Sequence, residues 1–112
     1  MTKGKIVLVP FPFDDLSATK LRPAICLTNP VGSYKHVILA FITSKIPSDL
    51  IETDIVLDTN HPDFAAGGLN KPSTIRLDHL MTVRKSLIKR ELGTLSSDMQ
   101  DLIAKMLCKL LT

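Results

Sequence analysis

The chain has 112 residues, 45% of them hydrophobic, with two cysteines, no tryptophan and a formal charge of +3 at pH 7. This length suits a single domain over residues 1–112 with a core of Leu, Ile, Val and Ala, and the small positive charge permits an anionic partner without demanding one. The longest apolar run, Val37 to Ile42, is far too short to span a membrane, and the opening apolar stretch is too short for a secretory leader.

Lys5 to Val9 reads as a first strand stopped by Pro10 and Pro12. Phe11 to Leu21 is a long polar loop, with Phe11 and Phe13 expected to close one end of the fold or to stack a base. Pro23 to Thr28 is a second strand, followed by the turn formers Asn29-Pro30-Val31-Gly32-Ser33. His36 to Thr43 is a third strand, apolar on both parities and therefore covered on both faces. Lys45 to Glu52 is a loop and Asp54 to Asp58 a fourth strand. His61 to Gly68 reads as a turn or a short helical turn closed by glycines. Ser73 to Val83 is a fifth strand, and Leu87 to Leu95 holds a last one interrupted at Gly93. Asp98 to Leu111 is the one long helix. Its apolar stripe comprises Met99, Leu102, Ile103, Met106, Leu107, Leu110 and Leu111, and Ser97 with Gln100 forms a capping box. Strands followed by one terminal helix predict a mainly β fold, a small antiparallel barrel with a helix packed on it. Cys26 and Cys108 lie in apolar patterns and are expected to be reduced and buried in a soluble, cytoplasmic protein.

Three places carry polar groups suited to chemistry. Arg22 precedes a proline, which stiffens its backbone, and its guanidinium matches phosphate oxygens; the alternative is an ordinary surface arginine. Thr43 and Ser44 end the third strand, where a hydroxyl can donate to a phosphate or simply bond the local backbone. In Thr74-Ile75-Arg76-Leu77-Asp78-His79 strand alternation sets Thr74, Arg76 and Asp78 on one face, either around a phosphate or as a solvent-facing ion pair. His79 falls on the parity of Ile75 and Leu77 unless a bulge shifts it, and it reads as a satisfied, half-buried histidine rather than a catalyst. No His, Cys, Asp or Glu spacing matches a metal site, and no glycine-rich phosphate loop is present. The nearest approach to a cationic run is Arg84-Lys85 followed by Lys89-Arg90.

Read together, Gly4-Lys5-Ile6-Val7-Leu8-Val9, Leu21-Arg22-Pro23-Ala24-Ile25, Ile42-Thr43-Ser44 and Arg76-Leu77-Asp78-His79-Leu80-Met81-Thr82-Val83 resemble the MazF/PemK (Kid-like) family of type II toxin–antitoxin ribonucleases. The resemblance implies an SH3-like (CcdB/MazF-like) barrel, a homodimer, and metal-independent, cofactor-free, sequence-selective endoribonuclease cleavage of single-stranded RNA. In that chemistry the ribose 2′-hydroxyl attacks, leaving 2′,3′-cyclic phosphate and 5′-hydroxyl ends. It implies catalytic roles for Arg22, Thr43, Arg76 and Asp78, and RNA contacts for Ser17, Ser44, Thr74 and His79. It further implies an acidic antitoxin and operator DNA bound by the toxin–antitoxin complex. This sequence departs from the family pattern in keeping only the serine of a glycine–serine–glutamate loop motif, at Ser17. His79 stands where a glutamine usually follows the late acid, and Met81 stands for an arginine.

Two rivals use the same barrel. One is a non-enzymatic binder of the CcdB type that inhibits gyrase, for which Arg22 and Thr43 would be unnecessary. The other is an inactive DNA-binding corepressor. The apolar excess of the third strand and the Leu110-Leu111 end is the residue-level motive for a dimer.

Overall fold

The computed structural model describes residues 1–10, 21–44 and 46–112. The strands are β1 (Lys5–Pro10), β2 (Leu21–Cys26), β3 (His36–Thr43), β4 (Asp54–Leu57), β5 (Ser73–Arg84) and β6 (Arg90–Thr94). Two helices complete the set, α1 (Asp63–Ala66) and the terminal α2 (Ser97–Leu111), and a short 3-10 turn at Lys85–Leu87 joins β5 to β6. All six strands form one antiparallel sheet in the order β4-β5-β3-β2-β1-β6, curled into a half-barrel. Among the described residues no helix is long and apolar enough to cross a membrane.

Strand alternation divides the core in two. On one face Ile6, Ile25, Ala40, Ile42, Ile75 and Leu77 pack with Met99 and Ile103 of α2. On the other face Val7, Val9, Ala24, Cys26, Leu39 and Val83 form a second cluster, with Phe41 and Ile88 against it. β3 contributes to both, as its apolar residues on both parities predict. The helix covers its face only in part. Met99 and Ile103 are buried, Met106 and Leu107 are half-buried, and Leu102, Leu110 and Leu111 are exposed. Cys26 is buried, but Cys108 is exposed, because it lies off the helix stripe that meets the sheet; both thiols are free.

α2 starts one residue earlier than the capping-box reading requires. Ser96, not Ser97, is the cap, and its Oγ accepts from the Met99 N–H at 3.2 Å. Gln100 turns back instead and donates through Nε2 to the Leu95 carbonyl at 2.9 Å. The cap is itself held by buried Asp63 of α1, whose carboxylate accepts from the Ser96 N–H at 2.7 Å and from Ser96 Oγ at 3.0 Å. β6 continues through Gly93, with its pairing interrupted just before it. Ile6 faces Gly93 while Val7 faces Glu91, which leaves Leu92 as a bulge. The backbone after α1 crosses at that bulge. A Cβ on Gly68, whose φ is +75°, would stand 2.0 Å from the Leu92 carbonyl oxygen, so the crossing requires glycine.

Candidate functional site

β2 begins at Leu21, so Arg22 is already inside the sheet, opposite Val9 of β1. Ala24 faces Phe41 across β2 and β3; the same register carried on two residues sets Arg22 opposite Thr43. Thr43 faces Thr74, Phe41 faces Arg76, and Arg76 faces Asp54 of β4. One line of side chains therefore crosses four strands on a single face of the sheet, at its open end.

β5 bends here. Arg76 is opposite Phe41, but Leu80 is opposite Ala40, so Leu77, Asp78 and His79 are extra residues on the β5 side. This bulge breaks strand alternation. Leu77 enters the core, while Asp78 and His79 are exposed, with His79 Nε2 3.7 Å from Asp78 Oδ2. As a result His79 reaches the same wall as the arginines. Arg22, Phe41, Ile42, Thr43, Pro47, Arg76 and His79 line one cavity of about 420 Å³.

The partner of Arg76 is not Asp78. Its Nε donates to Oδ1 of Asp54 at 3.3 Å, and the Asp54 side chain is fully buried. The second Asp54 oxygen accepts from the Ile51 N–H at 3.1 Å. Sequence reasoning does not single out Asp54. The available signal is an acid at the first position of a strand otherwise made of Ile55, Val56 and Leu57.

Two other residues are placed apart from the cavity, one by the pleat and one by burial. Thr43 and Ser44 point to opposite faces, and Ser44 lines a separate concavity of about 410 Å³ behind the sheet with Pro23, Lys71 and Arg90. Thr74 is fully buried, and its hydroxyl has no hydrogen-bond partner among the described residues. It lies under the site and not on its surface. Ser17, Phe11 and Phe13 lie outside the described residues. Among the described residues no three His, Cys, Asp or Glu side chains are grouped as a metal ion would need.

A family model described as PemK-like, MazF-like toxin of type II toxin–antitoxin system matches residues 2–111. The chain belongs to this family. Solved PemK/MazF structures share its fold at low identity. The Mycobacterium tuberculosis toxin MazF-mt6 is 22% identical over 96% of this chain and 95% of its own, with a TM-score of 0.70. A mycobacterial endoribonuclease in complex with its cognate antitoxin is 14% identical over 99% of this chain and 94% of its own, with a TM-score of 0.72. MazF from Deinococcus radiodurans is 16% identical over 99% and 96%, with a TM-score of 0.68. No curated protein sequence gives a significant match.

Within the PemK/MazF frame the cavity has a definite chemical character. Arg22 is exposed on the wall, and Arg76 is 24% exposed and fixed by Asp54. A guanidinium presents a planar fork of donors, and two of them facing one cavity suit an anion with several oxygens. Thr43 adds a hydroxyl, and His79 is the group on this wall able both to accept and to donate a proton. Elsewhere, burial pushes the Cys26 thiol up to about 11, with the Glu91 carboxylate adding to the effect, so Cys26 is an inert neutral core group.

Proposed function

We propose that this toxin-family chain is an endoribonuclease that cleaves single-stranded RNA at the cavity between β2, β3 and β5. The reading rests above all on the convergence of Arg22, Thr43, Arg76 and His79 on one wall. The 2′-hydroxyl oxygen forms a bond to the adjacent phosphorus and the bond from phosphorus to O5′ breaks. The products are a 2′,3′-cyclic phosphate and a 5′-hydroxyl. Because the nucleophile belongs to the substrate, the protein has three tasks: moving the proton off the 2′-oxygen, stabilising charge on the phosphoryl oxygens, and protonating O5′. Arg22 and Arg76 hold the phosphoryl oxygens, and Thr43 donates to one of them. His79 is the proton-transfer group, with Asp78 beside it as its carboxylate neighbour. Asp54 is a positioning residue that sets the angle of Arg76.

The mycobacterial relative solved with its cognate antitoxin supports an antitoxin partner for this chain too. An acidic segment laid over Arg22 would block the cavity, and the joint complex would bind operator DNA. Exposed Ile38 and Leu80, on paired strands of one sheet face, favour a homodimer. A cytoplasmic setting fits the free thiols.

Incubating the purified protein with a long unstructured RNA in EDTA, followed by primer extension and end analysis, tests the reading. Discrete cuts ending in cyclic phosphate support it. Gyrase inhibition without any RNA cleavage would transfer the protein to the CcdB-like reading, and operator binding without cleavage to the corepressor.

A further inference from the structure

The cationic run at Arg84 to Arg90 plays no part in the cavity just described. The fold brings it together with two other loops. Gly32, with φ +76°, and Lys35, with φ +53°, make a tight turn closed by paired backbone bonds between Val31 and His36, and this turn displays Tyr34 and Lys35. The Lys85 N–H donates to the Lys35 carbonyl at 2.9 Å, which locks the turn beside the end of β5. The Lys89 N–H donates to the Leu8 carbonyl at 2.9 Å, which holds the next stretch against β1.

Three surface concavities follow from this arrangement, and they share residues in sequence. The first, between the Tyr34 turn and Arg84, has Lys85 on its wall. The second is lined by Lys85, Lys89 and Arg90. The third contains Arg90, Lys71, Asn70 and Ser44, and lies directly behind the cleavage cavity, since Pro23 and Ser44 are the chain neighbours of Arg22 and Thr43. Lys35, Arg84, Lys85, Lys89, Arg90 and Lys71 therefore form one strip. All six are exposed, and none makes an ion pair among the described residues. One carboxylate, Glu91, lines the second and third concavities, and it is paired with Lys5 at 3.0 Å.

We propose that this strip is a track for the RNA backbone flanking the scissile linkage, running from Tyr34 through Lys85 and Arg90 to Lys71. The inference rests on the endoribonuclease reading above. Three features favour a single RNA strand. The strip carries unneutralised cations at successive stations, as a phosphate backbone requires. It begins at an aromatic group, Tyr34, 66% exposed, with the Arg84 guanidinium 5.1 Å from its ring centre, which is a stacking platform for an unpaired base. It also turns around the edge of a body only 34 × 31 × 27 Å in extent, a path that a flexible single strand follows and a stiff duplex does not. A protein partner would need a cluster of apolar anchors, whereas Leu8, Ile88 and Leu92 are half-buried here and Leu87 is the one exposed apolar side chain in the run from Lys85 to Arg90.

The test compares the wild type with the triple variant Lys85→Gln, Lys89→Gln, Arg90→Gln. Binding is measured against a 30-nucleotide RNA carrying a 2′-deoxy sugar at the cleavage position, from low to moderate salt, and cleavage is measured on a five-nucleotide substrate. The track predicts at least tenfold weaker binding of the long RNA, with the salt slope reduced by about 2, because each phosphate neutralised on a single strand contributes roughly 0.7 to that slope. Cleavage of the short substrate should stay within twofold of wild type, which also shows that the variant is folded. Unchanged long-RNA affinity and salt slope overturn the track while leaving the cleavage site intact. Weakened binding of duplex DNA or of an acidic antitoxin peptide, with long-RNA binding unaltered, also overturns it. A wild type that neither binds nor cuts RNA overturns both the track and the reading on which it rests.

Discussion

Arg76 and Asp54 face each other on neighbouring strands, and the Arg76 Nε–H donates to Asp54 Oδ1 at 3.3 Å, while the carboxylate is completely shielded from solvent. A buried carboxylate with two donors orients the guanidinium it touches, so the direction in which Arg76 faces the cavity is decided on β4. Asp54→Ala is expected to cost about 1–3 kcal/mol of stability and to lower RNA cleavage at least tenfold. Thermal unfolding and single-turnover cleavage measure the two effects. Wild-type behaviour in both would show that Arg76 orients without its strand neighbour.

Strand positions, the two-sided character of β3 and the terminal helix follow from apolar periodicity, which is a local signal. Arg22 and Thr43 are legible because each stands at the polar end of an apolar strand. Asp54 is not, because its role comes from a pairing between β4 and β5 that no local pattern encodes. Alternation alone sets His79 on the core parity, and the β5 bulge moves it to the cavity. Adjacency in sequence groups Ser44 with Thr43, whereas the pleat of a strand separates adjacent residues onto opposite faces.

The two groups at the β5 bulge should separate kinetically. His79→Ala removes the proton-transfer group and is expected to lower the cleavage rate about a hundredfold or more, with RNA affinity retained. Asp78→Asn, which alters only the neighbour 3.7 Å away, should cost less than tenfold. Rates on a short oligonucleotide at saturating enzyme decide this. If Asp78→Asn abolishes cleavage and His79→Ala leaves it intact, the carboxylate is the base and the assignment is reversed.

Asp63 links α1 to the start of α2 by accepting from both the backbone and the hydroxyl of Ser96. Asp63→Ala leaves the Ser96 N–H without its carboxylate acceptor and frees the cap, for an expected loss of about 1–2 kcal/mol. Urea unfolding should show a lower midpoint with an unchanged slope, and cleavage by the folded protein should stay near wild type. A variant as stable as wild type would remove Asp63 from the account of how the helix is anchored.

Cys26 gives a pH dependence of known sign. Its thiol rises from 9.0 to about 11 on folding, so between those values the native state holds a proton that the unfolded chain has released. Its contribution to stability is complete below about pH 9 and is lost as pH climbs through 11, an effect on the order of 2–3 kcal/mol. The difference in unfolding free energy between wild type and Cys26→Ala should therefore shrink from pH 8 to pH 11. A difference that is constant or widens over that range contradicts the burial of the thiol. Under native conditions a maleimide should label exposed Cys108 alone.

The role proposed for Arg22 is to act on the scissile phosphate from the same cavity as Thr43 and Arg76, and the rest of the chemistry depends on it. The decisive experiment is the cleavage rate of Arg22→Ala on a single-stranded RNA in EDTA, beside circular dichroism to confirm the fold. The expected result is a loss of at least about a hundredfold, with only partial recovery in Arg22→Lys, whose point charge lacks the planar fork. A folded Arg22→Ala protein that cuts within about threefold of the wild-type rate would contradict that role.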